Sequence, residues 1–466
     1  MQETLFAILE EFFEQTTGGG VAKFASPDSF GKAVRRKGRK IARQGEAPYE
    51  KLITSLGEYY SKNTASAYGS AKALGGTKLV IGGTSRFTET HLDSVRKMLL
   101  YADTILIPDP VLPWIESERE EEKFRHVLLL ENIFMLLHLK PIVDANLQYP
   151  AVVVFPSWEK TLEDKDVVTK DALDDLCVAF FSFHLGKRFE SVEEILQYIQ
   201  SSENDFLRDV GEKRLFIPPD GTGNETVTES INIYRENIKT WRSEEYTRAA
   251  NEWSDGHLVW NGICERLVPQ FHVLENADTL KAQPMFCIPA HWHYYSLCAE
   301  MYQGQLIRQS LLRESTVSTL RSLNRSEFQW LGNVPISALV ELRKNNANEE
   351  FRRRLGTFTN QLHDASVDDI DRVAAEVGKG MASLMNEHQK GIERIQAEYG
   401  RQHTRTAVGA WLTLAAMFLP SLAPFIGTSA PVVLAAKYAW DKADEARKKR
   451  EASRSLMGVL ASAKGP

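Results

Sequence analysis

The chain has 466 residues, 43% of them hydrophobic and 25% charged, with a formal net charge of −6. This length exceeds what one hydrophobic core usually organises and predicts roughly two to four domains. The composition excludes a chain disordered throughout and one that crosses a membrane many times, and the negative balance gives no strong nucleic-acid signal.

Leu5, Phe6, Ile8, Leu9, Phe12 and Phe13 recur at helical spacing and predict a short amphipathic helix that stops at Thr17-Gly18-Gly19-Gly20. Between Lys32 and Arg43, seven of twelve residues are basic, read as a solvated helix or loop, with a phosphate or headgroup patch as the alternative. No short apolar leader precedes this region. Together with four scattered cysteines (Cys177, Cys264, Cys287 and Cys298) that form no CxxC pair, this points to a reducing cytoplasm, free thiols and no zinc site.

The period changes at Lys78. Three aliphatic runs, Lys78 to Gly82, Thr104 to Pro108 and Ala151 to Phe155, read as buried strands. Helical patterns lie between them at Thr88 to Asp103 and Glu118 to Val143. That order predicts parallel β-α-β crossovers and a small open, mostly parallel sheet within about 76–205. Residues 1–75 read as a helical segment with the basic stretch, 206–335 as a mainly helical, aromatic-rich region around Trp241, Trp253, Trp260 and Trp292, and 336–466 as a helical arm ending in an apolar hairpin and basic tail.

Ligands of open parallel sheets bind beyond the carboxyl ends of the strands. There the sequence places Gly82, Gly83, Thr84 and Arg86 as a candidate phosphate cradle, and Ser85, Arg86 and Asp109 as the groups an enzyme would use. Ser157 and Glu159 follow the third strand. Neither GxGxxG nor GxxxxGK[ST] occurs, so a tight turn explains the glycines equally well, and no cofactor is implied. His291 and His293 could share a metal on a strand but diverge by about 200° on a helix, where packing or capping is the plainer role. Asp144, ahead of the third strand, reads as a turn residue.

From Val367 to Tyr399 apolar residues recur at threes and fours, predicting an amphipathic helix about 45 Å long that serves as a coiled-coil arm, and so as a homo-oligomer contact, or as a strut of a helical bundle. It delivers the chain to Ala407–Ala436, 30 residues without a charged side chain. Pro420 and Pro424 split this segment into arms of 13 and 12 residues, hence a hairpin. From Arg401 onward ten Lys/Arg stand against four Asp/Glu, a local +6 that leaves −12 for the remainder.

Thirteen helical residues span about 20 Å, short of the bilayer's hydrocarbon, and suit a buried hairpin or an oligomer interface. Basic flanks and edge aromatics suit insertion instead, with Trp411, Leu412, Leu414, Phe418, Leu419, Phe425, Ile426 and Val433 in lipid and Arg447, Lys448, Lys449 and Arg450 on anionic headgroups. The leading expectation is therefore a non-enzymatic effector or sensor, made in the cytoplasm and peripheral to or hairpin-inserted in the inner membrane. An unidentified protein or small molecule would trigger exposure of the hairpin. The general plan is similar to that of bacterial membrane-acting effectors in architecture only, and defence is one use of such a device. The alternative is a soluble enzyme or phosphate-ligand-binding protein whose hairpin is a dimerisation core.

Overall fold

The computed structural model describes residues 2–24, 30–31, 34, 46–82, 88–99, 102–112, 122–155, 166–218, 221, 223–242, 244–287, 289–308, 336–346, 349–364 and positions 372–373, 376–377, 379–380, 383–384 and 387. These residues are mostly helical and surround one small parallel sheet.

The three expected strands form as β1 (Lys78–Ile81), β2 (Thr104–Pro108) and β3 (Val152–Phe155), and all their residues are buried. A fourth, β4 (Gln283–Met285), comes from the region read as helical and pairs parallel to β1. The strand order β3-β2-β1-β4 means that the chain winds outward through β2 and β3, then crosses back to the far side of β1. Both faces are covered, which is why the strands read as unbroken apolar runs. On one face Leu79, Ile81, Ile105, Ile107, Val152 and Val154 join the main core. Their alternates Val80, Leu106, Val153 and Phe155 form a second cluster with Ala71, Ala277 and Leu280.

The first face carries the crossover helices α3 (Thr88–Met98) and α4 (Glu122–Leu137), the latter followed by a single turn, α5 (Lys140–Val143). The second carries α2 (Glu46–Ala73) and α11 (Asp255–Leu280), 28 and 26 residues long. Helix α1 (Gln2–Thr17) buries Leu5, Phe6, Leu9, Phe12 and Phe13 as expected. The ring of Phe13 joins Phe24, Phe30 and Phe134 in an aromatic cluster. Its first residue guards the sheet edge: the Gln2 amide donates to Val154 O at 2.9 Å and accepts from Val154 N at 2.8 Å. That blunts a row of backbone groups which would otherwise invite another strand.

Between β3 and β4 run α6 (Asp166–Leu185), α7 (Val192–Ser201), α8 (Glu203–Glu212), α9 (Val227–Trp241), α10 (Glu244–Asn251) and then α11. Ser191 caps α7, and Thr226 with Glu229 forms a reciprocal capping box on α9. Phe180, Phe181, Phe206, Phe216 and Tyr234 supply the buried bulk. Trp253 stacks on His257 and packs with Trp260 against the core, whereas the side chains of Trp241 and Trp292 lie outside the described residues.

After β4, α12 (Pro289–Arg308) returns to the core, and α13 (Ile336–Lys344) and α14 (Glu349–Asp364) bind the amino edge of the sheet. Arg343 is 5% exposed and donates to the carbonyls of Leu99, Ala102 and Asp103 at 2.6, 2.7 and 3.0 Å. Arg352 Nε donates to Asp103 Oδ1 at 2.7 Å, Asp103 Oδ2 accepts from Thr77 N, and Thr77 Oγ1 donates to Arg352 O. Further along, the described positions of the expected arm are helical. Val377 and Leu384, seven residues apart, are buried in the main core, while Arg372, Glu376, Lys379, Ser383 and Glu387 face out. Gly380 lets the arm lie directly on α14, since a Cβ there would stand 2.6 Å from the Phe358 ring. These described positions of the arm thus pack on the body. The expected hairpin at 407–436, the basic tail and most of the basic stretch at 32–43 lie outside the described residues.

Candidate functional site

A doubly wound sheet opens a crevice beyond the carboxyl ends of the two strands where its winding reverses, here β1 and β4. Gly82 stands at the end of β1, and a Cβ there would lie 2.8 Å from Val273 Cγ2 on α11. Close helix-to-strand approach accounts for this glycine without a ligand. Gly83, Thr84, Ser85 and Arg86 lie outside the described residues, as do Ser157 and Glu159.

Asp109 is described, and it is enclosed. Its residue is 2% exposed; Oδ1 accepts from the amides of Val111 at 2.7 Å and Leu112 at 3.4 Å, and Oδ2 accepts from the Tyr60 hydroxyl. Its own amide donates to Phe155 O. Asp109 therefore ties β2, β3 and α2 together. Burial, and secondly the Asp109 carboxylate, push the Tyr59 phenol up to about 12 and the Tyr60 phenol well above its ordinary value.

The groups that the fold does bring to this end were not singled out together by the sequence. His91, 1% exposed on α3, and half-buried His291 at the start of α12 come from segments 200 residues apart. Arg266 on α11 is the third member, near enough with His91 for their charge to oppose a proton on His291. Burial first, then the electrostatic effects of His91 and Arg266, hold the His291 imidazolium down to about 3, so the ring is neutral in ordinary conditions. Arg266, 9% exposed, lies with its guanidinium 5.5 Å from the Tyr234 ring centre and 3.9 Å from Glu265, and its buried Nε makes no hydrogen bond. The Cys287 thiol, just past β4, is pushed up to about 12 by burial, with the Ser94 hydroxyl opposing the shift. A neutral His291 imidazole beside the Arg266 guanidinium can help to orient an anion. These groups do not make a metal centre: among the described residues no three His, Cys, Asp or Glu are grouped to hold one. His293 diverges from His291 as a helix requires, and its Nε2 lies 2.8 Å from Arg214 O. Asp144 ends α5, where it pairs with Lys140.

A second polar cluster is closed on itself. Glu265 accepts from the hydroxyls of Tyr234 and Tyr246 and from Arg242, each at 2.8 Å, while Asn261 donates to both hydroxyls. Burial alone would raise the Glu265 carboxyl; Arg242 and the two phenols more than offset it and hold it low. These contacts join α9, α10 and α11 and account for the aromatic richness of the region. None of the four cysteines forms a disulfide, and Cys177 Sγ lies 3.3 Å from Cys264 Sγ.

Among the described residues no helix is long and apolar enough to cross a membrane. The lipid-contact candidates Trp411, Leu412, Leu414, Phe418, Leu419, Phe425, Ile426, Val433 and Arg447 through Arg450 all fall outside them. No family model, curated protein or solved structure matches the chain.

Proposed function

We propose that the protein is a membrane-acting effector or sensor in which the α/β and helical body controls exposure of the hydrophobic hairpin at 407–436. The observation that carries this reading is the uncharged 30-residue segment with basic residues on both sides. It follows an arm whose described positions are docked on the body through Val377, Leu384 and the 2.5 Å ion pair of Arg354 with Glu387. Undocking frees the Val377 and Leu384 face for pairing between copies, and the hairpin then enters the inner membrane. Arg447 to Arg450 meet anionic headgroups, each worth about 1 kcal/mol near the surface. The change is a population shift, driven by whatever binds the undocked state better.

Liposome flotation of the full chain at low and high salt, beside a chain ending at Gln402, tests this. Flotation that survives high salt and vanishes on truncation is expected. A full chain that stays unbound at both salt concentrations overturns the reading.

A second reading, ligand binding or catalysis on a phosphorylated compound at the carboxyl ends of β1 and β4, is favoured by His91 and Arg266 lying near His291 at that end of the sheet. Arg86→Gln and His291→Asn should then abolish activity in a folded protein without altering flotation.

A further inference from the structure

Helices α6 and α11 touch in the main core, and near the middle of each stands a cysteine: Cys177, 6% exposed, and half-buried Cys264. Their sulfurs lie 3.3 Å apart, although 87 positions separate them in the chain. A disulfide needs about 2.05 Å, so the sulfurs have to close by about 1.3 Å. Both helices are anchored around the pair. Gly262 presses α11 onto Phe216, where a Cβ would stand 2.6 Å from the ring, and Glu265 accepts from the hydroxyls of Tyr234 and Tyr246. On α6, Leu176, Phe180 and Phe181 are fully buried next to Cys177.

The surroundings decide how such a pair reacts. The contact with Cys177 first, then burial, push the Cys264 thiol well above its ordinary value, and the carboxylates of Asp174 and Glu265 push the same way. Little thiolate is present at neutral pH, so the first attack on an oxidant is slow. The second step is fast, because the partner sulfur is already in contact with the first. A brief pulse of oxidant therefore leaves the pair reduced, while sustained exposure carries it through to a disulfide before either sulfur climbs to the irreversible acids.

We propose that Cys177 and Cys264 form a reversible oxidation site whose co-reactant is a peroxide. Cys264, the more exposed of the two, loses its proton, and its sulfur attacks one oxygen of hydrogen peroxide and breaks the O–O bond. The products are the Cys264 sulfenic acid and hydroxide, which takes up the released proton as water. The Cys177 sulfur then displaces hydroxide from the sulfenic sulfur, and that hydroxide leaves with the Cys177 proton as a second water. Two thiols and one peroxide become one disulfide and two waters, the sulfurs giving up the two electrons that the O–O bond gains. A dithiol reductant reverses the step by exchange at the Cys264 sulfur. The bond ties α11 to α6 and closes a loop that holds α7, α8, α9 and α10, so the oxidised body opens less readily than the reduced one. The site stands independently of the membrane reading.

Graded hydrogen peroxide on the reduced full chain, followed by alkylation in denaturant and non-reducing peptide mapping, tests the site. A peptide pair linking Cys177 to Cys264 is expected, formed while the circular dichroism stays that of the reduced chain. Two of the four thiols should disappear, with no linkage at Cys287 or Cys298, and should return fully with dithiothreitol. The oxidised chain should melt a few degrees above the reduced one, a difference absent in Cys177→Ser. In that variant the Cys264 sulfenic acid lacks a resolving thiol and should become trappable by dimedone. Retention of both thiols at a peroxide dose that fully oxidises free methionine in the same tube, or a linkage that omits either residue, overturns the inference. Should Cys177→Ser fail to fold, the map of the parent chain decides alone.

Discussion

The two ends of the sheet are built from opposite materials. At the carboxyl end, where doubly wound sheets usually work, His91, His291 and Arg266 sit among apolar helices, and the one described glycine, Gly82, serves helix packing. At the amino end, charged side chains reach backbone carbonyls across more than 200 residues of sequence, from Arg343 to Leu99, Ala102 and Asp103, and leave an open cavity beside them. The carboxyl end is thus a polar nest in a packed core, and the amino end is an electrostatic joint between the sheet and α13 and α14. Position in a fold predicts a site only where the attached helices leave it open and charged.

The sharpest way to break this contrast is to remove the joint. Arg343→Met deletes three charge-assisted bonds and leaves buried carbonyls without a donor, which predicts a loss of about 3–5 kcal/mol in denaturant unfolding and faster amide exchange along α13. A loss under about 1 kcal/mol means that apolar contacts through Leu339 and Leu342 hold α13, and the joint is incidental.

At the other end, Gly82→Ala forces a Cβ to 2.8 Å from Val273 and should cost about 1–3 kcal/mol. The double variant with Val273→Ala should recover most of that. Recovery assigns Gly82 to packing; failure to recover, together with loss of a ligand, restores the phosphate cradle.

Much of the fold was legible because the strands β1 to β3 and helix α1 use large aliphatic or phenyl side chains at the period of their element. Helix α2 was legible only as part of a helical 1–75 segment, since five of the seven described residues it buries, Tyr49, Tyr59, Tyr60, Ala67 and Ala71 beside Leu52 and Leu56, are tyrosine or alanine, a face that reads as ambiguous. Strand β4 was hidden for a different reason. It is three residues long with Pro284 at its centre, tolerable only because it is a sheet edge, and its burial comes from α11 and β1. The site was legible only in outline. Asp109 was placed at the correct strand end, but nothing in a linear sequence says that Tyr60 and two amides enclose it. Arg343 and Arg352 look like solvated arginines of an amphipathic helix until the fold supplies Asp103 and three carbonyls.

The carboxyl end should also respond to acid. His291 has a folded value of about 3 against about 6.5 unfolded. As pH falls below 6.5 the unfolded chain gains a proton that the folded chain refuses, so stability present above 6.5 is lost progressively toward pH 3. At pH 5 this amounts to about 2 kcal/mol. His184, held down to about 4 mainly by burial, adds a loss of the same sign that levels off at its own value. His291→Asn should flatten the upper part of the profile, as read by urea unfolding from pH 7 to 5. An acid profile identical in His291→Asn and the parent would place the proton uptake elsewhere.

The smallest expected energetic effect carries the most functional information. Arg354 and Glu387 join α14 to the arm with side chains 26% and 57% exposed, a pair worth about 0.5 kcal/mol or less. Arg354→Gln should leave the unfolding midpoint within error. Its effect belongs to a different equilibrium, between docked and free arm, where the competing terms are the burial of Val377 and Leu384 and the fit of Gly380 against Phe358. If those states lie within a few kcal/mol, a change of 0.5 kcal/mol shifts their ratio about twofold, visible as faster exchange at Val377 and Leu384 and a matching rise in liposome-bound protein. Exchange and flotation rising together would tie arm release to membrane contact, while faster exchange with unchanged flotation would uncouple them and leave the arm a strut of the body.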